Sequence, residues 1–265
     1  MSFRVVYAFV LRYLFLYSRN YIRLVELFFW PIMELLVWGS LTVYLNQQAG
    51  GQKPQLVTWL IGGVIFWDIL FRAQQGVAIS FLEDVWTKNL HNVFVAPVRP
   101  VEYLTAGIII GILRTLAALL VLVVLAAVNF NFNLFVMEWS LVPFFFNLLL
   151  FGWSLGMFSS ALIMRWGQAA EVLAWAVPFL LQPAAAVFYP LSTLPYWAQQ
   201  IGWCLPCTHV FEGMRAVLDH QPLNWGQLGI SFLLNLVWLG AAAATYAWVL
   251  ESGRRRGTLT RVTSH

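Results

Sequence analysis

The chain has 265 residues and a formal net charge of +4, and 61% of its residues are hydrophobic. Only 10% of the residues carry a charge, against about 25% in an ordinary soluble domain, and so few charges could not cover so much apolar surface in water. The composition therefore excludes a disordered chain, a soluble enzyme and a nucleic-acid-binding module, and it predicts a protein with several membrane-spanning segments.

The first 25 residues are predicted to form an amphipathic helix in the plane of the cytoplasmic membrane interface. At about 100° per residue, Arg4, Arg12, Arg19 and Arg23 fall within roughly one third of a helical wheel, and apolar residues occupy the rest. Such a helix would direct its arginines toward lipid headgroups. The alternative is a basic flank that only fixes the topology. No cleavable signal peptide is predicted, because the arginines interrupt any continuous apolar core.

Six apolar stretches follow, and each is long enough to cross a bilayer as a helix. They run over residues 27–46, 56–80, 104–128, 139–164, 169–188 and 227–250. A helix is the only open-ended element that satisfies its own backbone hydrogen bonds in lipid. The predicted fold class is therefore all-α, with a single membrane domain over residues 1–265 that contains six transmembrane helices.

The positive charges between these spans are distributed unevenly. With a cytoplasmic N-terminus, the inner segments hold eleven Lys and Arg residues, whereas the outer segments hold only Lys53 and Arg215. Lys and Arg are enriched in cytoplasmic loops, and six spans return the chain to its starting side. Both termini, including the basic tail at 251–265, are therefore predicted to be cytoplasmic.

The main inner loop, residues 81–103, mixes acidic, basic and apolar residues. This pattern predicts a short helix over about 82–94 that lies against the membrane and is ended by Pro97 and Pro100. A solvated connector is the alternative interpretation. Because a connector leaves apolar side chains such as Leu90 unexplained, we favour a docking element.

The longest outer segment, residues 188–224, is too apolar for a free loop. Three of its prolines interrupt any continuous helix, namely Pro190, Pro195 and Pro206. The sequence predicts two half-helices, roughly 196–204 and 207–218, that dip into the outer leaflet and return. Non-helical backbone is tolerated at that depth only where protein or water covers it.

Two stretches of the chain resemble the membrane-spanning subunit of ABC-2 type transporters. The first is FLEDVWTKNLHNVFVAPVRPVEYLTAG at 81–107, which has that family's acidic and apolar helix, a proline turn and a Glu-Tyr-Leu start of the third span. The second is VFYPLSTLPYWAQQIGWCLPCTHVFEGMRAVL at 187–218, which has the family's Pro-Leu-x-x-x-Pro run, then Pro-x-Thr, then an acidic residue and Arg. In size the chain is also similar to the polysaccharide and lipo-oligosaccharide exporters of that family.

The resemblance implies a permease subunit of an ATP-driven exporter in a bacterial cytoplasmic (inner) membrane, not an enzyme. Two copies of the chain would form the translocation path among the membrane lipids, and two separate ABC ATPase subunits would bind beneath them. Those subunits would hold ATP and Mg²⁺, because this sequence has no G-x-x-x-x-G-K-[ST] motif. We expect no cofactor in this chain and no nucleic-acid partner.

The resemblance also implies roles for particular residues. Those expected to couple to the ATPase are Glu83, Asp84, Trp86, Asn89, Leu90, Phe94 and Pro97. Those expected in a re-entrant outer gate are Pro190, Pro195, Pro206, Thr208, Glu212 and Arg215. A second ATPase contact is expected at the short inner loop 164–170, which includes Arg165 and Trp166.

A candidate intramembrane charge network consists of Glu34, Asp68, Arg72 and Arg114, which fall inside the predicted spans. Asp68 and Arg72 are four residues apart, so they share one helix face and can pair. An unpaired charge at that depth costs at least about 2.5–3.5 kcal/mol. The network either lines a polar path that changes between states or consists of static pairs that lock the first three spans together.

Two short motifs have simpler interpretations. Cys204 and Cys207 have C-x-x-C spacing, but with His209 they lack the fourth ligand of a structural zinc site, so packing of a turn is favoured and a disulfide is the alternative. The glycine pairs 107/111 and 152/156 have the spacing that lets membrane helices approach closely, within the chain or between two copies.

Two rival functions stay open on the sequence alone. One is an integral membrane enzyme that acts on lipid or polyprenyl substrates, which would need clustered Asp, His or Lys residues at an interface. The other is a membrane scaffold without transport. The substrate of a transporter is equally open among a glycan, a glycolipid and an amphiphilic drug-like molecule.

Overall fold

The computed structural model describes residues 2–48, 50–51, 54–87 and 98–256. Across these ranges the chain forms helices and no strand, so the predicted all-α class is confirmed. The α-helices of the described part run over α1 Phe3–Ser18, α2 Tyr21–Gln48, α3 Pro54–Trp86, α4 Pro100–Phe130, α5 Leu141–Trp166, α6 Glu171–Leu181, α7 Tyr196–Trp203, α8 Pro206–Leu218 and α9 Trp225–Arg256. Short 3-10 turns precede α5, α6 and α7.

Five of these helices are long and apolar enough to cross a membrane, namely α2, α3, α4, α5 and α9. The shortest of them, α5, has 26 residues, and at about 1.5 Å per residue it exceeds the roughly 30 Å of a bilayer's hydrocarbon core. Five of the six predicted spans therefore have a matching helix.

The fifth predicted span, 169–188, is not a continuous helix. Its regular part is α6, which has 11 residues and a length of about 16 Å, or roughly half of the hydrocarbon core. Pro178 lies inside α6, and Pro183 follows its end. Beyond α6 the chain continues in turns to Ala186, which has a positive φ of 53°. The six-span count therefore stays a prediction.

Helix α3 lies at the centre of the bundle and packs against α2, α4 and α5. Its close approach to α4 depends on Gly76, where an added Cβ would overlap the Cα of Gly111. Its approach to α5 depends on Gly152, where an added Cβ would lie 2.6 Å from the Leu70 carbonyl oxygen. The predicted packing role of the glycine pairs is therefore confirmed, and the contacts lie within the chain.

At one end of the bundle lie α1, the end of α3 and the starts of α4 and α6. The indole N–H of Trp86 donates to Glu171 at 3.0 Å, and the backbone N–H of Ser2 donates to Glu102. We call this the α1 end. At the opposite end, Trp59 donates to Asp219 at 2.9 Å, which joins the start of α3 to the segment after α8.

The close contact of α3 with α4 predicts that Gly76→Ala destabilises the chain by about 1–3 kcal/mol, because the added methyl group has no space. Gly240 on α9 is a matched control, since nothing lies within 4 Å of an added Cβ there. Thermal unfolding in nanodiscs should give a lower Tm for Gly76→Ala. It should give an unchanged or higher Tm for Gly240→Ala, because alanine favours helix over glycine. Equal Tm values would contradict the contact.

Candidate functional site

A cavity of about 150 Å³ that is lined by both charged and apolar side chains opens between α2, α3 and α4 near the α1 end. The residues of the predicted charge network all line it, with Glu34 from α2, Asp68 and Arg72 from α3 and Arg114 from α4. Aromatic side chains of Trp30, Phe71 and Trp175 also line the cavity. Charges and aromatic rings thus meet in one concave site among apolar helices, which makes it the candidate functional site.

Arg72 makes two hydrogen bonds, one within α3 and one that joins α3 to α2. Its Nε donates to Asp68 Oδ2 at 2.6 Å, and its Nη2 donates to the Leu27 carbonyl oxygen at 2.7 Å. That carbonyl lacks a helical partner, because the residue four positions later is Pro31, which has no N–H. The predicted Asp68–Arg72 pair therefore exists, and the guanidinium also satisfies a backbone oxygen that lipid could not.

The same arrangement recurs between α3 and α6. Pro178 cannot donate to the carbonyl of Ala174, the residue four positions before it. The Ala174 oxygen instead accepts from the side-chain amides of Gln74 at 2.9 Å and Gln75 at 3.2 Å. Neither glutamine was predicted from the sequence. The signal that could have found them is a proline inside an apolar stretch, which requires a donor on a neighbouring helix.

The other two residues of the network have no such bonds. The Arg114 guanidinium lies 4.8 Å from the ring centroid of Tyr17, a cation–π contact to α1. Its Nε is buried and lacks a hydrogen-bond partner. Within the described ranges, the Glu34 carboxylate makes no ion pair and no hydrogen bond. Whether the network changes between states stays a prediction.

Asp84 holds α1, and Glu83 holds the start of α2, against the end of α3. Arg23 donates to Glu83 at 2.6 Å, and Arg12 pairs with Asp84. Both acidic residues are buried, and Asp84 also accepts from the hydroxyl of Tyr103 at 2.7 Å. They were expected to contact an ATPase, but in this chain their side chains face α1 and the cavity, so that role stays a prediction.

Tyr13 of α1 reaches the same carboxylate, with its hydroxyl 3.4 Å from Asp84 Oδ2. Burial raises the pKa of the Tyr13 hydroxyl well above its ordinary value. The hydroxyl therefore stays protonated and can donate to Asp84. A helix, α1, is thus present in the predicted segment, and polar side chains bind it to the bundle. Its position in the membrane interface stays a prediction.

The predicted ATPase-coupling segment is described only in part. α3 runs without interruption to Trp86, so the first residues of the predicted 82–94 helix belong to a spanning helix. Trp86 is 39% exposed at the α1 end. Asn89, Leu90, Phe94 and Pro97 lie outside the described residues.

The predicted outer gate contains an arginine clamp. Arg215 on α8 donates to the Ala186 carbonyl at 2.9 Å and to Glu212 at 2.8 Å. Glu212 also accepts from the backbone N–H of Leu191 at 2.7 Å. The clamp fixes the turn after α6, where Ala186 has its positive φ, to α8.

The two predicted half-helices correspond to α7 and α8. Pro195 directly precedes α7, Pro206 is the first residue of α8, and Pro190 precedes the turn before α7, all positions where proline's missing N–H leaves no helical bond broken. Thr208 is buried in α8. Cys204 and Cys207 are free thiols, one exposed and one buried. How deep these helices lie in a membrane stays a prediction.

Residues 38–250 match a family model that is described as ABC-2 family transporter protein. The match begins inside α2 and ends inside α9, so it includes the parts of α3 and α4 that line the cavity, and the outer segment. Helix α1 precedes the matched range. A search of the curated proteins finds no match.

The contact between Arg72 and the Leu27 carbonyl predicts an interaction between positions 31 and 72. Arg72→Gln should destabilise the chain. Adding Pro31→Ala should then restore about 0.5–1.5 kcal/mol, because alanine supplies the N–H that the Leu27 oxygen needs. In the chain that keeps Arg72, Pro31→Ala should raise the free energy of unfolding by a smaller amount. Pro143→Ala is the control, since Pro143 lies in the first turn of α5. A double-mutant cycle on thermal stability in nanodiscs measures this, and strictly additive effects would contradict it.

Proposed function

The chain belongs to the ABC-2 transporter family, and we propose that it is the permease subunit of an ATP-driven exporter. The observation that carries this proposal is the family match over more than half of the chain. In the proposed assembly, two copies of the chain form the path and two ABC ATPase subunits bind to them. ATP and Mg²⁺ belong to those subunits, because this sequence has no phosphate-binding loop.

We assign the α1 end to the cytoplasm. This end carries Arg12, Arg19, Arg23 and Arg165, whereas the described loops of the opposite end carry the acidic residues Glu138 and Asp219. An excess of Lys and Arg on one side is the usual determinant of orientation. The assignment supports a bacterial cytoplasmic membrane protein whose two termini face the ATPase.

The ATPase contact is proposed at the exposed aromatic side chains of the α1 end. Trp86 ends α3, and Trp166 ends α5 beside the exposed Arg165. Buried tryptophans and arginines dominate many protein interfaces, so these residues suit a docking surface. Glu83 and Asp84 contribute indirectly in this proposal, because Asp84 holds α1 and Glu83 holds the start of α2 beside that surface.

Helix α3 provides a direct connection from this surface to the cavity. It is one continuous helix from Pro54 to Trp86, so a movement imposed at Trp86 also displaces Asp68 and Arg72. Arg72 would transmit that movement to α2 and the two glutamines would transmit it to α6. Rigid helices linked by specific hydrogen bonds can carry such coupling between distant sites.

The proposal predicts that the full-length chain, purified from its native membrane, recovers an ATPase subunit that contains a Walker A motif. Trp86→Ala should lower the recovered ATPase by about tenfold or more, as expected for a tryptophan at the centre of an interface. Trp139→Ala is the matched control, because Trp139 is 86% exposed at the opposite end. Absence of any ATPase with the unchanged chain, or equal losses in both variants, would contradict the proposal.

A further inference from the structure

Three cavity residues form a stripe along one face of α2. Glu26, Trp30 and Glu34 are spaced four residues apart, so their side chains stand above one another at one-turn intervals. All three line the cavity. An aromatic ring between two carboxylates offers a cation both opposite charge and a π face.

The carboxylates of this stripe have no cationic partner within the described residues. Of the three arginines that line the cavity, Arg72 is bound to Asp68 and Arg23 is bound to Glu83. Arg114 lies over the Tyr17 ring. Glu26 and Glu34 therefore outnumber the one remaining guanidinium, so the formal charge of the residues that line the cavity is negative. An isolated carboxylate among apolar helices is costly, and a bound cation would relieve that cost.

The aromatic lining favours an organic cation over a metal ion. Trp30 of α2 is 65% exposed and Trp175 of α6 is 39% exposed, and both line the cavity. Phe71 contributes a third ring from α3. A metal ion would require several oxygen ligands at short range, whereas the described residues contain no group of three His, Cys, Asp or Glu side chains that could hold one.

From these observations we propose that the cavity binds the cationic group of an amphiphile, an ammonium or similar organic cation that carries an apolar body. Glu34 pairs with the positive charge, and the rings of Trp30 and Trp175 cover its faces. A cavity of about 150 Å³ holds the headgroup alone, so the apolar body extends past Trp30 along the exposed side of α2. The inference that such an amphiphile is a transported substrate rests on the proposed function. The binding of the cation does not depend on that function.

The test measures binding of two matched probes to the full-length chain in phosphatidylcholine nanodiscs. Decyltrimethylammonium and decanesulfonate share one alkyl chain and differ in the sign of the headgroup charge. Equilibrium dialysis of each radiolabelled probe, with binding to empty nanodiscs subtracted, gives its dissociation constant. We expect saturable binding of the ammonium probe and much weaker binding of the sulfonate.

Variants then locate the site. Glu34→Gln should weaken binding of the ammonium probe by about tenfold or more, through loss of the charge. Trp30→Leu should weaken it by about threefold to tenfold, through loss of the cation–π contact. Glu138→Gln is the control, because Glu138 is exposed in the 3-10 turn before α5 and does not line the cavity. If Glu34→Gln does not fold, as judged by gel filtration, Trp30→Leu decides the test.

Either of two results would overturn the inference. The first is equal or stronger binding of the sulfonate, which would assign the cavity to anions through Arg114. The second is an unchanged dissociation constant of the ammonium probe in folded Glu34→Gln or Trp30→Leu. Because the assay contains no ATPase and measures no transport, such a result would leave the proposed exporter function standing. Conversely, a failure to recover an ATPase would leave the cation site standing.

Discussion

Two prolines inside apolar helices impose the constraint on which the rest of this structure depends. Pro31 and Pro178 each leave a carbonyl four residues earlier without its helical donor, and lipid offers no replacement. An unsatisfied buried carbonyl costs roughly 1–3 kcal/mol. α3 supplies the missing donors, with Arg72 for Leu27 and two glutamines for Ala174. The polar side chains of α3 therefore determine where α2 and α6 can lie.

This constraint also shapes the cavity. Because the Arg72 guanidinium is held by Asp68 and by the Leu27 carbonyl, it is not available to Glu34, although Glu34 lines the same space. Likewise, Arg23 is held by Glu83, in a second contact that fastens α2 to α3. The cations are engaged in holding helices together, and the carboxylates on α2 are left facing the cavity. The arginines that hold the helices together therefore also determine which carboxylates of the cavity lack an ion pair.

Local patterns of the sequence predicted much of the fold. Apolar length identified five spanning helices, the four-residue spacing identified the Asp68–Arg72 pair, and prolines located α7 and α8. Contacts between distant segments could not be predicted in this way. Arg12 and Asp84 are separated by 72 positions, and Gln74 and Ala174 by 100. The apolar composition of 169–188 did not predict a shorter helix, because Pro178 lies in an otherwise apolar run. The effect of Pro178 on the helix depends on hydrogen-bond donors from α3, which are distant in the sequence.

The most direct test of this account measures the Ala174 carbonyl, one of the two carbonyls that a proline leaves without a helical donor. Ala-Trp occurs twice in the sequence, at 174–175 and 247–248, so ¹³C-carbonyl alanine with ¹⁵N tryptophan gives two carbonyl–nitrogen signals in solid-state NMR. Ala247 lies inside the regular helix α9 and serves as the internal reference. Replacing both Gln74 and Gln75 by leucine should shift the Ala174 carbonyl signal and leave that of Ala247 unchanged. An unmoved Ala174 signal would contradict the account.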